Sequence, residues 1–178
     1  RAGVEVPYEN NQSFTSEKDP LYTALKMAMA IFEKNLSKSK DAENVRNYIL
    51  NNRKISSEVC RKFSLGYATN SWDALSKEML SKGIKEEVLI KAGLAKKNKD
   101  GNLFDFFRDR LIFPIKDRKG RVVGFGGRVM NPEDQPKYLN TGETPVFQKN
   151  RELYGLYETL EFRKNLKEIF VVEGYMDS

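Results

Sequence analysis

Two acidic residues near the end of the sequence have the spacing of a metal site. Glu173 directly follows an apolar run at 169–172, and Asp177 comes four residues later. The run is typical of a strand buried on both faces, and open α/β sheets hold ligands at the carboxyl ends of such strands. Carboxylate oxygens suit Mg²⁺. The pattern therefore predicts a Mg²⁺ ligand at Glu173, which Asp177 could also reach if the next turn is helical. A solvated residue at a strand end is the simpler alternative.

The residue composition excludes several kinds of catalytic site. The chain has 178 residues, with no histidine and one cysteine, Cys60. Without histidine, neither a Ser-His-Asp triad nor a histidine-ligated zinc site can form. A single cysteine excludes an internal disulfide framework and fits a reducing compartment. No apolar run approaches the roughly 20 residues of a membrane span, so we expect no membrane partner. Any chemistry must use carboxylates, metal ions, lysine, arginine or tyrosine.

Basic side chains with aromatic residues among them occupy the second half of the chain. The formal net charge is +6, from 31 basic and 25 acidic residues. Basic groups neutralise phosphates, and aromatic rings offer bases a stacking surface. Arg128, Lys137 and Lys149 lie on separate segments that could converge, with Tyr138 beside Lys137. We predict a surface that binds nucleic acid. An ordinary solvated hairpin is the alternative, and we adopt it for Arg118 and Lys119 in the hairpin turn.

The hydrophobic pattern divides the chain into parts of different character. Residues 1–18 are polar and typical of a linker from an upstream domain. Apolar residues recur at helical spacing through 19–95, which predicts five helices. The period shifts toward two within 96–166, which predicts a small antiparallel sheet and then a helix. Residues 167–178 begin a new strand. The fold class predicted from these patterns is α+β.

Capping residues mark the starts of the predicted helices. The capping residues are Asp19, Asp41, Ser56 or Ser57, and Ser71. Helical spacing directs apolar residues of the third and fourth helices toward the core, among them Val59, Trp72 and Leu80. The stretch 96–101 is highly charged and contains Asp-Gly, so it is predicted as a turn.

A glycine-rich strand lies at the centre of the predicted sheet. Strands are expected at 111–115, 121–130 and 137–140, with a hairpin turn between the first two. Pro114 indicates an edge or a bulge. The glycines at 124, 126 and 127 do not form a dinucleotide-binding loop, because no helix can begin directly after them. They indicate instead a strand that another chain, backbone or ligand approaches closely.

Six short segments follow one another in a distinctive order. They are RLIFPI (110–115), GFGGR (124–128), PKYLNT (136–141), FQK (147–149), LYGLY (153–157) and VEGYMD (172–177). As a set they resemble the catalytic core of bacterial replicative DNA primases, almost segment by segment from about residue 107 to 177. The helical part resembles that family more loosely, through Arg53 and residues 63–68. The set is specific, although any one segment alone is weak.

The resemblance implies a fold and an activity. The family's core has a mixed amino-terminal subdomain, whose helical part precedes a small antiparallel sheet, and then a Toprim α/β domain. Residues 167–178 would be the first strand and turn of that Toprim domain. The family synthesises short RNA primers on a single-stranded DNA template from ribonucleoside triphosphates. It uses Mg²⁺ or Mn²⁺ and acts in the bacterial cytoplasm at the replication fork.

The resemblance also assigns site residues. Glu173 falls on the Toprim glutamate, so Glu173 and Asp177 are predicted as catalytic residues and Glu173 as the metal ligand. A further set falls on basic positions that hold the template or nucleotide phosphates. That set is Arg53, Arg128, Lys137, Tyr138, Asn140 and Lys149.

Other parts of the family's core are expected outside this sequence. Zinc belongs to an upstream module, further metal-binding aspartates lie downstream of residue 178, and the replicative helicase binds a carboxyl-terminal domain. We therefore expect the 178-residue chain to make no primers by itself. Two alternatives remain open: another Toprim enzyme, such as a topoisomerase or nuclease, and a non-catalytic module that binds single-stranded nucleic acid.

Overall fold

The computed structural model describes residues 17–131, 133–162, 171–172 and 174–176. Its α-helices are α1 (Asp19–Lys38), α2 (Glu43–Asn47), α3 (Ser57–Lys62), α4 (Ala74–Ser81), α5 (Glu86–Lys91) and α6 (Leu156–Phe162). A 3₁₀ turn at Lys40–Ala42 precedes α2, and a π-helical turn at Tyr48–Asn52 follows it. Within these ranges, no helix is long and apolar enough to cross a membrane.

Two antiparallel sheets accompany the helices. The strands are β1 (Gly66–Ala68), β2 (Ala95–Lys97), β3 (Leu103–Asp105), β4 (Arg110–Lys116), β5 (Val122–Val129) and β6 (Tyr138–Asn140). The larger sheet has the order β1-β4-β5-β6, and β2 pairs with β3 in the smaller one. The predicted order of helices and then a small antiparallel sheet is therefore confirmed.

Helix α1 packs against the larger sheet because small and apolar residues share one of its sides. Ala24, Ala28 and Phe32 are buried on that side. The ring of Phe32 meets the ring of Phe125 edge-on, with centroids 5.4 Å apart. A β-carbon at Gly66 would lie 2.5 Å from the β-carbon of Phe32, so only glycine permits this approach. Residues from both 19–95 and 96–166 thus share one hydrophobic core.

A distant carboxylate caps helix α4. The predicted cap at Ser71 is wrong, since the helix begins at Ala74. The carboxylate of Asp105, at the end of β3, accepts hydrogen bonds from the backbone amides of Leu75 (2.8 Å) and Ser76 (2.9 Å). Burial raises the pKa of Asp105 although these donors oppose the shift. The start of α4 is thus determined by a residue of another element.

The other predicted caps have mixed outcomes. The Ser56 hydroxyl accepts a hydrogen bond from the backbone amide of Val59 at 3.2 Å, which confirms the cap of α3. Asp19 lies inside the first turn of α1, because Lys18 before it already has helical backbone angles. Asp41 lies within the 3₁₀ turn and does not cap α2.

Three side chains predicted to face the core are exposed. Val59 is 40%, Trp72 52% and Leu80 40% exposed. Their helices are short or begin later than predicted, so only one narrow side of each contacts the core. Trp72 packs at the surface instead, stacked on Phe104 with ring centroids 5.0 Å apart and with the Arg108 guanidinium 4.6 Å from its ring.

The β4–β5 hairpin forms as predicted. The Asp117 carboxylate closes its turn by accepting from the backbone amides of Lys119 (2.9 Å) and Arg121 (3.0 Å). Strand β1 pairs only with the first part of β4, so Pro114 lies beyond it, where no strand of the described residues pairs with that side of β4. The register also shifts between Ile115 and Lys116. The unpaired side and the register shift next to Pro114 agree with the edge or bulge that the proline indicated.

The charged stretch after α5 is more structured than predicted. Residues 96–101 were expected to form a turn only, whereas β2 and β3 pair across this turn from Ala95 opposite Asp105 to Lys97 opposite Leu103. Short strands with one exposed side leave little alternation in the sequence, which explains the difference.

The predicted buried strand at 169–172 is not seen at its described residues. Val171 is 72% exposed and Val172 44% exposed, and neither belongs to a strand. A strand is buried on both faces only when neighbouring strands and helices cover it, and none of the described strands pairs with this segment. Ile169, Phe170, Glu173 and Asp177 lie outside the described residues.

Candidate nucleic-acid interface

The guanidinium of Arg128 is held between two tyrosine rings. It lies 4.9 Å from the ring centroid of Tyr48 and 5.5 Å from that of Tyr138. One of its nitrogens, Nη1, donates a hydrogen bond of 3.1 Å to the Tyr138 hydroxyl. Arg128 and Tyr138 are register partners of β5 and β6, which places both side chains on one face of the sheet. The strand pairing therefore positions a cation on an aromatic surface.

The glycines of β5 let a tyrosine lie directly on the strand. A β-carbon at Gly126 would be 2.6 Å from the ring of Tyr175. That ring stacks on Phe113 with centroids 5.1 Å apart, and its hydroxyl donates to the Asn140 side-chain oxygen at 2.8 Å. Tyr138 lies 6.2 Å from Tyr175 by ring centroids. The predicted close approach at these glycines is thus made by side chains of this same chain.

A buried arginine positions the segment that leads into β6. Arg110 is 7% exposed and its Nη1 donates to the backbone oxygen of Pro136 at 2.9 Å. The same nitrogen lies 3.4 Å from the backbone oxygen of Gly127. Burial lowers the pKa of Arg110 from its usual value. Arg110 therefore ties the residues just before Lys137 to the strand that carries Arg128.

Two tyrosines packed beside this face, Tyr154 and Tyr175, have buried phenol groups. Burial raises the pKa of the Tyr154 hydroxyl and of the Tyr175 hydroxyl above the ordinary value. A protonated phenol is a poor nucleophile, so these side chains serve as packing and hydrogen-bonding groups. Their rings meet edge-on with centroids 4.9 Å apart.

The remaining predicted binding residues are exposed cations on three separate segments. Lys137 is exposed immediately before β6, and its backbone oxygen accepts from the amide of Val129 at 3.1 Å. Lys149 is exposed, with its amide donating to the Glu143 carboxylate at 3.1 Å. Arg53 is exposed at the end of the π-helical turn. The structure brings Arg128, Tyr138 and Asn140 to one face. The convergence of Lys137 and Lys149 with Arg128 stays a prediction, as does the binding role of Arg53.

The predicted metal site lies outside the described residues. Neither Glu173 nor Asp177 is among the residues that the structure describes. Within the described ranges, no group of three or more histidine, cysteine, aspartate or glutamate side chains is arranged to hold a metal ion. The metal assignment to Glu173 therefore stays a prediction.

Sequence reasoning missed three residues that build this face. Tyr48 belongs to none of the segments singled out in the sequence, yet its ring lies 4.9 Å from the Arg128 guanidinium. Tyr175 lies in the VEGYMD segment, where the acidic residues carry the predicted metal chemistry. Arg110 opens the RLIFPI segment and has no spacing that sets it apart from other basic residues. Tyr175 and Arg110 belong to the segments that carry the family resemblance, and this membership is the signal that could have marked them; Tyr48 has no such local signal.

Comparison with known proteins defines the class. Residues 31–160 match the family described as DNA primase catalytic core, N-terminal domain, and the chain belongs to this family. A DNA primase of Pseudomonas putida is 44% identical over 181 residues, covering 99% of this chain and 27% of the relative. The DNA primase of Escherichia coli K12 is 39% identical over 178 residues, covering 98% of this chain and 30% of that protein. The chain thus spans less than a third of these relatives.

Solved structures show the same fold. A structure of the DnaG primase catalytic domain bound to ssDNA aligns with a TM-score of 0.83 at 40% identity, over 90% of this chain and 51% of that one. A DNA primase domain from Pseudomonas aeruginosa aligns with a TM-score of 0.79 at 44% identity, over 89% and 49% of the two chains. The resemblance and the α+β fold predicted from sequence are confirmed. Neither a topoisomerase or nuclease nor a non-catalytic binding module is favoured.

Proposed function

We propose that this chain is the part of a DNA primase that holds the single-stranded template and the phosphates of ribonucleoside triphosphates. The main observation in support is that the Arg128 guanidinium, on the glycine-rich strand, contacts the rings of both Tyr48 and Tyr138. The ssDNA-bound structure of a relative with the same fold supports this choice of ligand.

The charge of Arg128 is free to meet a phosphate. Its Nη1 donates to the Tyr138 hydroxyl, and among the described residues no carboxylate forms an ion pair with it. Arginine stays protonated, and its planar guanidinium matches phosphate oxygens through two nitrogens at once. The ring contacts hold the guanidinium in place, so little side-chain entropy is lost when a strand binds. A base next to the held phosphate would find Tyr138 within reach for stacking.

The whole enzyme is proposed to synthesise short RNA primers. Mg²⁺ or Mn²⁺, when bound, would offset phosphate charge and assist attack by a primer 3′-hydroxyl. Glu173 would be its ligand in this sequence, with Asp177 beside it; both are carboxylates, which fits a hard divalent cation. We further propose that the protein acts in the bacterial cytoplasm at the replication fork. A region outside this sequence would bind the replicative helicase.

Binding of a labelled oligothymidylate tests the proposal. Fluorescence anisotropy is measured on the 178-residue chain over a series of salt concentrations. Arg128→Ala and Lys137→Ala are each expected to weaken binding and to reduce the slope of log affinity against log salt by about 1, the value for one phosphate contact. Arg118→Ala is the matched control, because it removes a positive charge from an exposed hairpin turn.

The control variant distinguishes a direct phosphate contact from the effect of the chain's overall positive charge. Arg118→Ala is expected to leave the salt slope close to that of the parent, since surface charges far from a strand act only through a screened field. If Arg128→Ala and Lys137→Ala both match the parent in affinity and slope, these residues belong to the solvated surface and the proposal is wrong.

A further inference from the structure

A polar pocket opens beside the Arg128 face. It has a volume of about 440 Å³, within the range of about 300–1,000 Å³ typical of small-molecule sites. Tyr48 belongs to its wall and also contacts the Arg128 guanidinium, so the pocket and the phosphate-binding surface share a residue. Asparagine side chains dominate the rest of the wall. They are Asn44, Asn47, Asn52 and Asn131. We call this cavity the asparagine pocket.

The charge of the asparagine pocket is opposite to that of its surroundings. Asp41 and Asp109 line it, and no lysine or arginine does so among the described residues. Carboxylates repel phosphate, so a phosphate group would not enter. A neutral group that offers hydrogen-bond donors would be favoured. The amide side chains add both donors and acceptors, which is the mixture found on the edge of a nucleobase.

Asp109 is the residue most clearly set for binding. Its Oδ1 accepts a hydrogen bond from the buried Tyr67 hydroxyl at 2.7 Å, which fixes the orientation of the carboxylate. Its Oδ2 has no hydrogen-bond partner among the described residues. The backbone of Asp109 has φ 47°, a left-handed conformation that costs a residue with a side chain about 1–3 kcal/mol. A strained, oriented and half-satisfied carboxylate in a pocket wall is typical of a ligand site.

The π-helical turn is a second local irregularity at the same place. Tyr48–Asn52 forms this turn, and its first and last residues both line the pocket. Single π-helical turns inside helices are rare and frequent at functional sites, because they redirect side chains that a regular helix would point elsewhere. Irregular backbone thus occurs in two separate segments that line the asparagine pocket.

We propose that the asparagine pocket binds a guanine base, with Asp109 as the specificity-determining residue. Guanine presents two adjacent donors, N1–H and the exocyclic amino group, which one carboxylate can accept together. The other bases offer no such pair to a carboxylate. A neighbouring asparagine amide would donate to the guanine O6. Recognition of an unstacked base by its Watson–Crick edge is the usual way that proteins read single strands. The inference rests on the proposed function, because Arg128 would hold the adjoining phosphate.

The test compares two labelled 12-nucleotide strands, one all thymidine and one with a single central guanosine. The parent chain is expected to bind the guanosine strand at least about fivefold more tightly, the lower end for one bidentate base contact. Asp109→Asn is expected to abolish this preference while binding the all-thymidine strand as the control does. Asparagine tolerates a left-handed backbone and keeps an acceptor for Tyr67, so the fold should persist.

Asp100→Asn is the matched control, since it makes the same charge change in an exposed turn away from the pocket. It is expected to keep the preference. Equal affinity of the parent for both strands, or an unchanged preference in Asp109→Asn, would overturn the inference. Failure of the parent to bind either strand would instead overturn the proposed function. Arg128→Ala should weaken the binding of both strands equally and leave the ratio of the two affinities unchanged.

The guanine could belong to the strand or to an incoming ribonucleotide. Excess GMP, with UMP as the comparison, distinguishes these sources. If GMP removes the preference for the guanosine strand and UMP does not, the pocket accepts the base of a free nucleotide. If neither nucleotide has an effect while Asp109→Asn still abolishes the preference, only a base held by its strand occupies the pocket.

Discussion

Replacing Gly126 by alanine tests how the tyrosine cluster is attached to the sheet. The new β-carbon would lie 2.6 Å from the Tyr175 ring. Carbon atoms in favourable contact are about 3.5–4.0 Å apart, so the ring must move by about 1 Å. It cannot do so freely: it stacks on Phe113 at 5.1 Å, meets Tyr154 edge-on at 4.9 Å and donates to Asn140 at 2.8 Å.

The expected cost follows from those contacts. An aromatic pair contributes about 0.5–1.5 kcal/mol beyond area burial, and a hydrogen bond a similar amount. Losing part of two ring pairs and one hydrogen bond predicts a destabilisation of about 2 kcal/mol, within the usual range for an overpacked core. For a domain of this size, the melting temperature should fall by about 4–8 °C.

The assay is urea unfolding combined with a double-mutant cycle. Gly126→Ala is measured in the parent and in a Tyr175→Ala background, where the obstructing ring is gone. The loss should shrink to less than about 0.5 kcal/mol in that background, because contacting residues are not additive. Gly142→Ala is the matched control, since no heavy atom of the described residues, apart from its chain neighbours, lies within 4 Å of its β-carbon position.

Two results would refute this reasoning. One is a Gly126→Ala stability within about 0.5 kcal/mol of the parent, as expected for an open site such as Gly142. The other is an equal loss in both backgrounds, which would show that Tyr175 does not lie on the strand in solution. Either result would also remove the packing argument for the face that carries Arg128.

Two further predictions concern buried charge and catalysis. Lys116 and Glu158 form a buried ion pair of 2.9 Å, with side chains 9% and 3% exposed, so Glu158→Gln should cost about 3–5 kcal/mol in urea unfolding by leaving a buried ammonium unpaired. Asp73→Asn, which breaks an exposed pair, should cost less than about 1 kcal/mol, and a similar loss in both would contradict the argument. In a chain continued through the rest of the catalytic core, Glu173→Gln should melt normally but lower primer yield at least about a hundredfold, with Asp177→Asn milder. The 178-residue chain alone should give no template-dependent products. A primer yield of the Glu173→Gln variant close to that of the parent would show that Glu173 is not part of the active site.

Local patterns in the sequence were sufficient for several elements. Helix α1 was predictable because its apolar residues repeat every three or four positions and face one core. The β4–β5 hairpin was predictable because Asp117 and Gly120 determine the turn through contacts between near neighbours. The order of the six segments identified the family. In each case the information lies within a few residues or in the identity of the residues themselves.

The tertiary structure alone decided what lies beside what. Asp105 caps α4 from a position 29 residues away from Ser76, and Tyr48 meets Arg128 across the fold. Neither contact leaves a periodic pattern in the sequence, because the pattern around each residue reflects only the helix, strand or turn to which that residue belongs. The exposure of Trp72 was missed for the same reason: spacing shows which side of a helix is apolar, but not how much of it a neighbour covers. The asparagine pocket is of this kind, since its wall comes from separated segments that only the folded chain brings together.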